Sequence, residues 1–123
     1  MEKEPGYKNL IVWKNTRTLR GLIYQMCKGF PQAEMRRSSQ MRDSARSVKQ
    51  NIQEGYVKSL PSYINHLNIA MGSLSELRGD IDDCLEDRLI TKENFLSINE
   101  LAGKTEYLLK RLIQSLIRKR DSR

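Results

Sequence analysis

Apolar residues recur at steps of three and four along most of this chain, which is the spacing of a helix with one buried face. Val12, Thr16, Leu19, Ile23, Met26 and Phe30 form the first such stripe and predict a helix over about 9–28, with Asn9 as its cap. Gly29-Phe30-Pro31 ends it, because glycine suits the position just past a helix and proline cannot continue one. Met41, Ala45, Val48, Ile52 and Tyr56 mark a second helix over about 32–57. Its first turns, with Arg36, Arg37, Ser38 and Ser39, are so polar that they are expected either to fray or to form a surface that orders against a partner. Ser59-Leu60-Pro61-Ser62 supplies the next break, with Pro61 suited to the first turn of a third helix over about 61–88. That helix has the longest seam, through Ile64, Leu67, Met71, Leu74, Leu77 or Arg78, Ile81 and Cys84/Leu85. Thr91 caps a fourth, over about 91–119, whose core face runs through Phe95, Ile98, Ala102, Leu109, Leu112, Leu116 and Ile117.

Breaks this short make consecutive helices antiparallel neighbours, so the pattern predicts an all-α, up-down-up-down four-helix bundle. One domain spans residues 1–123. No strand alternation competes. Two glycines inside the third helix need a reason, since each costs about 1 kcal/mol relative to alanine. Gly72 and Gly79 are one heptad apart and share a face, which points to close approach of another helix, from the bundle or from another subunit.

Composition narrows the function. The chain holds one histidine, His66, and two cysteines, Cys27 and Cys84, both inside apolar stripes. Zinc sites and Ser-His-Asp or Cys-His nucleophile pairs are therefore not expected, and the cysteines read as small buried hydrophobes. Glu54 and Glu76 resemble a carboxylate pair, but no metal ligands or phosphate-binding loop accompany them. The expectation is no enzyme, no metal, no cofactor and no small-molecule substrate. The longest apolar run, Leu10-Ile11-Val12-Trp13, is too short for a membrane span or a secretion signal, so a cytoplasmic protein without a membrane partner is expected.

Charge points towards a partner. The net charge is +7, and it is unevenly spread: residues 58–90 carry three basic and six acidic side chains, while each of the other segments is basic. The folded protein should be electrostatically two-faced, with affinity for anions. Three basic clusters stand out. Arg42, Arg46 and Lys49 lie at helical spacing beside the second stripe, with Gln53 extending the line. Lys14, Arg17 and Arg20 fall within two turns of the first helix, and Lys110, Arg111, Arg118, Lys119 and Arg120 gather near the end of the fourth. Such lines can follow phosphates and give salt-sensitive affinity without base specificity. Most aromatic residues sit on the stripes and read as core; Tyr7, ahead of the first helix, is the freest.

Some segments are more particular. Ser47-Val48-Lys49-Gln50-Asn51-Ile52-Gln53-Glu54-Gly55 resembles the "S-[IV]-P-x-N-I-A-E-G" segment of the bacterial 23S rRNA intervening-sequence protein family. Leu67-Asn68-Ile69-Ala70-Met71-Gly72-Ser73-Leu74-Ser75-Glu76-Leu77 is similar to its "L-N-I-A-x-G-S-L-x-E-L", and Leu10-Ile11-Val12-Trp13 and Phe30-Pro31 to its "L-x-V-W" start and "F-P" turn. The likeness covers roughly residues 8–118. Lys49 stands where the family has proline, Gln53 where it has alanine, and Asp43-Ser44 where it has an "R-A" pair.

The resemblance implies a four-helix bundle that assembles as a ring-like homopentamer with a basic surface. It further implies RNA or DNA binding, either as a protein encoded within a ribosomal RNA intervening sequence or as an accessory factor to the reverse transcriptase of a diversity-generating retroelement. Of the two, the accessory role is the expectation, with a protein-only scaffold as its rival. Asn51, Glu54, Gly55, Asn68, Gly72, Ser73, Glu76 and Gly79 belong to the matching segments or the glycine face, and their polar members read as fasteners between helices or subunits.

Overall fold

The computed structural model describes residues 6–122, which form four long helices and no strand. These are α1 (Ile11–Lys28), α2 (Met35–Tyr56), α3 (Leu60–Glu86) and α4 (Lys92–Asp121). Single 3-10 turns, Gly6–Asn9 and Gln32–Glu34, precede α1 and α2.

Two boundaries differ from expectation. Asn9 belongs to the 3-10 turn, and Leu10 occupies the cap position of α1 without a side-chain hydrogen bond. The second helix starts at Met35, because Pro31 sets an extended backbone that turns through Gln32–Glu34 first. Its polar opening turns are helical. Arg37 ties them down, with Nε 2.9 Å from Glu34 and Nη1 2.8 Å from Asp87 beyond the end of α3. Thr91 caps α4 as its sequence suggests, its hydroxyl accepting from the Asn94 amide at 3.1 Å.

The exit from α3 has an unusual residue. Leu89 N donates to Cys84 O at 2.9 Å and Arg88 N to Leu85 O at 3.1 Å, the paired bonds of a Schellman ending. That motif wants a left-handed residue at its penultimate position, usually glycine. Here Arg88 takes it, at φ 58°.

Each helix packs on two others: α2 on α1 and α3, and α4 on α3 and α1. Trp13 meets Gln53 and Cys27 meets Ser38; Ser47 meets Ser73 and Gln40 meets Asp80. The core they enclose includes Leu19, Ile23, Met41, Ile52, Leu67, Leu74, Leu77, Ile81 and Leu109, all essentially out of solvent. Both cysteines are buried and free, and burial pushes each thiol above its usual range.

The fourth stripe is read only partly by periodicity. The buried positions of α4 are Ile98, Ala102, Thr105, Leu109 and Ile113, while Phe95, Leu112, Leu116 and Ile117 are half-exposed. Thr105 takes a core position because its hydroxyl donates to the Leu101 carbonyl at 2.7 Å, so burial leaves no donor unpaired. Thr16 in α1 does the same with the Trp13 carbonyl.

The glycines divide by environment. A Cβ on Gly55 would lie 2.7 Å from His66 Cβ and 2.9 Å from Tyr63 Cδ1, so this glycine lets α2 and α3 meet at their shared end. Nothing lies within 4 Å of a Cβ on Gly72 or Gly79. Close packing inside the chain is therefore not the reason for either. Both are exposed on α3, and Gly72 lies one turn from the half-exposed Ile69.

Candidate nucleic-acid interface

The seam of α1 and α2 brings together two of the three basic clusters. Where Trp13 sits under the seam, Lys49 Nζ lies 5.5 Å from its ring centroid and the Arg17 guanidinium 5.9 Å. Three turns along, Tyr24 does the same for Arg20, at 4.5 Å, and Arg42, at 5.7 Å. Each aromatic ring thus carries one cation from α1 and one from α2, an arrangement that the ring quadrupole favours. Arg46 and Lys14 lie exposed along the same two helices. Among the described residues, none of these six cations is within ion-pair distance of a carboxylate; the pairs found involve Arg37, Arg78, Lys104 and Arg120.

Mutual repulsion is the result. Burial lowers the Lys49 pKa below that of an ordinary lysine, and the positive charges of Arg20, Arg17, Lys8 and Arg46 lower it further. A lysine so placed gains from any anion that arrives.

At the Trp13 end the seam opens into a cavity of about 590 Å³. Four cations line it: Lys8 from the 3-10 turn, Lys14 and Arg17 from α1, and Lys49 from α2. Tyr7 and Trp13 form its aromatic wall, edge to face with centroids 5.4 Å apart, and Gln53 completes it. Trp13 Nε1 donates to Gln53 Oε1 at 3.0 Å. The rings continue outward from Tyr7 to Tyr56 and on to the buried Tyr63, whose hydroxyl pKa is pushed up to about 12, chiefly by burial.

Sequence reasoning missed Lys8, Trp13 and Tyr24 as parts of this surface. Both rings fall under the reading of most aromatic residues as core, and Trp13 is 5% exposed. Its ring still floors the cation pair, a role visible only once positions 13 and 49 are opposite one another.

The third cluster is separate. Lys110 borders a shallow depression between α3 and α4 with Asn68 and Glu106. Arg111 lies over the Tyr107 ring at 5.9 Å, Arg120 pairs with Asp121, and Arg118 and Lys119 are exposed in the last turn of α4. None of them shares a partner with the α1–α2 cations among the described residues.

Of the motif residues, Asn51, Gly55 and Ser73 join α2 to α3. Lys58 is only a donor, so its bond to His66 Nε2 at 2.9 Å leaves the ring proton on Nδ1, which donates to Asn51 Oδ1 at 2.9 Å. Asn51 Nδ2 donates to the Ser47 carbonyl at 2.9 Å and reaches its hydroxyl at 3.2 Å. Ser47 and Ser73 then share a hydrogen bond of 2.7 Å. Glu54, Asn68 and Glu76 are exposed and outside this chain of bonds. Among the described residues, no three histidine, cysteine or acidic side chains come together as metal ligands, and no helix is long and apolar enough to cross a membrane.

Residues 8–111 match the family described as the 23S rRNA-intervening sequence protein. The crystal structure of a protein of unknown function from the S23 ribosomal protein family of Bacteroides thetaiotaomicron has the same fold. It superposes with a TM-score of 0.79 at 27% sequence identity, over 84% of this chain and 98% of that one. No curated protein matches the sequence.

Proposed function

From the premise that this chain belongs to the 23S rRNA-intervening sequence protein family, we propose that it is a non-catalytic protein that binds RNA along the α1–α2 seam. One observation carries this reading: four cations from two helices stand over Trp13 and Tyr24, with Lys14 and Arg46 beside them, and none of the six has a carboxylate to pair with among the described residues. A phosphate backbone laid along the seam relieves their repulsion and releases its own counterions.

The bound form is a homo-oligomer, a ring of five up-down-up-down bundles on the family pattern. Ile69, Leu96, Tyr107 and Val57 support self-association, since a single chain leaves all four at least 47% exposed. The working context is the cytoplasm, beside a reverse transcriptase that must hold an RNA template. Ribosomal RNA is the second reading, favoured by the family's own description.

Fluorescence anisotropy of a labelled single-stranded RNA tests the proposal. Affinity should fall steeply between about 50 and 200 mM salt, with a log-log slope near −0.7 for each phosphate contacted. RNA that fails to bind at low salt, or binds with no salt dependence, overturns it and leaves a scaffold that meets only protein.

A further inference from the structure

We infer that the cavity over Trp13 is a receptor for the phosphomonoester of a nucleotide, the end group of a strand, where the rest of the α1–α2 seam takes internal phosphodiesters. The inference rests on the RNA-binding reading in taking this seam as the anion-binding face, and it adds a distinct site at one end of it.

The geometry separates the cavity from the strip. Around Tyr24 two cations stack on the ring, and the depression beside it is smaller, about 210 Å³, with only Lys28 and Arg42 as cations in its lining. Around Trp13 the same pair is joined by Lys8 and Lys14, so that four cations converge on one depression. Its volume, about 590 Å³, is within the range of small-ligand sites. A phosphodiester carries a single charge, whereas a phosphomonoester carries about −1.5 to −2 and three free oxygens. The richer cluster suits the richer anion.

Two further features orient such a group. Gln53 Oε1 is held by the Trp13 indole, which fixes the amide and leaves its NH2 to donate towards a phosphate oxygen. The lining residues Trp13 and Lys14 lie at the start of α1, beside the positive end of its dipole. A base has less to gain here than a phosphate, because the cations already occupy the Trp13 ring. Lys49 and Gln53 are also the two lining positions at which the chain departs from the motif it otherwise resembles.

Trp13 is the only tryptophan, so its emission reads the cavity directly. Adenosine 5′-monophosphate should change that emission saturably, and adenosine should not. An RNA 12-mer with a 5′-phosphate should bind about tenfold more tightly than its 5′-hydroxyl twin, the scale of one charge-assisted hydrogen bond. Lys49→Gln and Arg17→Gln, checked for helical content by circular dichroism, should each remove most of both preferences. Arg42→Gln should weaken the two RNAs equally. If free nucleotide binds and the two RNAs do not differ, the phosphomonoester receptor stands and its source is the mononucleotide pool. If emission responds alike to adenosine and its monophosphate, or the variants leave the preferences intact, the inference fails even where RNA still binds. If neither RNA binds at low salt while the monophosphate saturates, the receptor stands and the RNA-binding reading fails.

Discussion

The Trp13 indole donates to the Gln53 side chain across the α1–α2 seam, 3.0 Å from Nε1 to Oε1, and one bond thereby fixes both a core ring and a surface amide. Gln53→Ala should leave the indole without its acceptor in a half-buried place and cost about 1 kcal/mol of stability. Gln53→Glu keeps an acceptor there and adds a carboxylate among Lys49, Arg17 and Lys14. It should hold or raise the urea midpoint while abolishing anion binding, a split that equilibrium unfolding and an anisotropy titration together reveal.

Lys49 should oppose folding in the free protein. Its pKa is lowered by burial and by Arg20, Arg17, Lys8 and Arg46, so near and below the unfolded value of about 10.5 the folded state holds that proton less tightly than the unfolded chain. This penalty is fully present below the folded pKa and fades as pH rises towards 10.5, so the contribution of Lys49 to stability increases with pH. Lys49→Gln at pH 7 should therefore raise the melting temperature slightly, by the equivalent of a few tenths of a kcal/mol at a partly exposed site, while weakening RNA. The gain should shrink in salt as the repulsion is screened. A melting temperature that falls at low salt would contradict this account.

The glycines should respond in opposite directions. Gly55→Ala forces a methyl against His66 and Tyr63 and should cost about 1–3 kcal/mol, more than the helical gain of alanine returns. Gly72→Ala and Gly79→Ala meet open space and should each stabilise the single chain by about 0.5–1 kcal/mol. Thermal unfolding of the three variants tests the contrast, and sedimentation shows whether an alanine at 72 or 79 disturbs assembly.

Arg88 holds a left-handed backbone at φ 58° to close α3. Arg88→Gly should remove that strain and stabilise the protein by about 1 kcal/mol, read as a higher urea midpoint with an unchanged slope. An unchanged midpoint would mean that the side chain compensates for its own backbone.

Periodicity carried the reading of the fold a long way because three of the stripes keep unbroken helical steps, even where Thr16, Phe30 or Tyr56 takes a position. It faltered at Thr105, whose polarity is cancelled by a bond to its own helix, and at Asn9, where a 3-10 turn uses up the residue that would have capped α1. The site was legible in pieces. Arg42, Arg46 and Lys49 share a helix face by spacing alone, as do Lys14, Arg17 and Arg20. That the two faces are one surface depends on the register of α1 against α2, which no spacing within either helix encodes. Lys8 and Tyr7 add to it only because the turn at Gly6–Asn9 folds back towards that seam. The cluster at 110–120 looks equally basic in sequence, yet it stands apart from the other two.

The segregation of charge has a consequence beyond the seam. With net positive charge on α1, α2 and α4, and Glu76, Asp80, Asp82, Asp83 and Glu86 along α3, the molecule carries a permanent dipole moment directed away from α3. A polyanion exerts a torque on such a body before touching it, turning the seam inward during approach. A strand that captures the protein therefore acquires a displayed acidic helix on the far side, pointing at whatever arrives second.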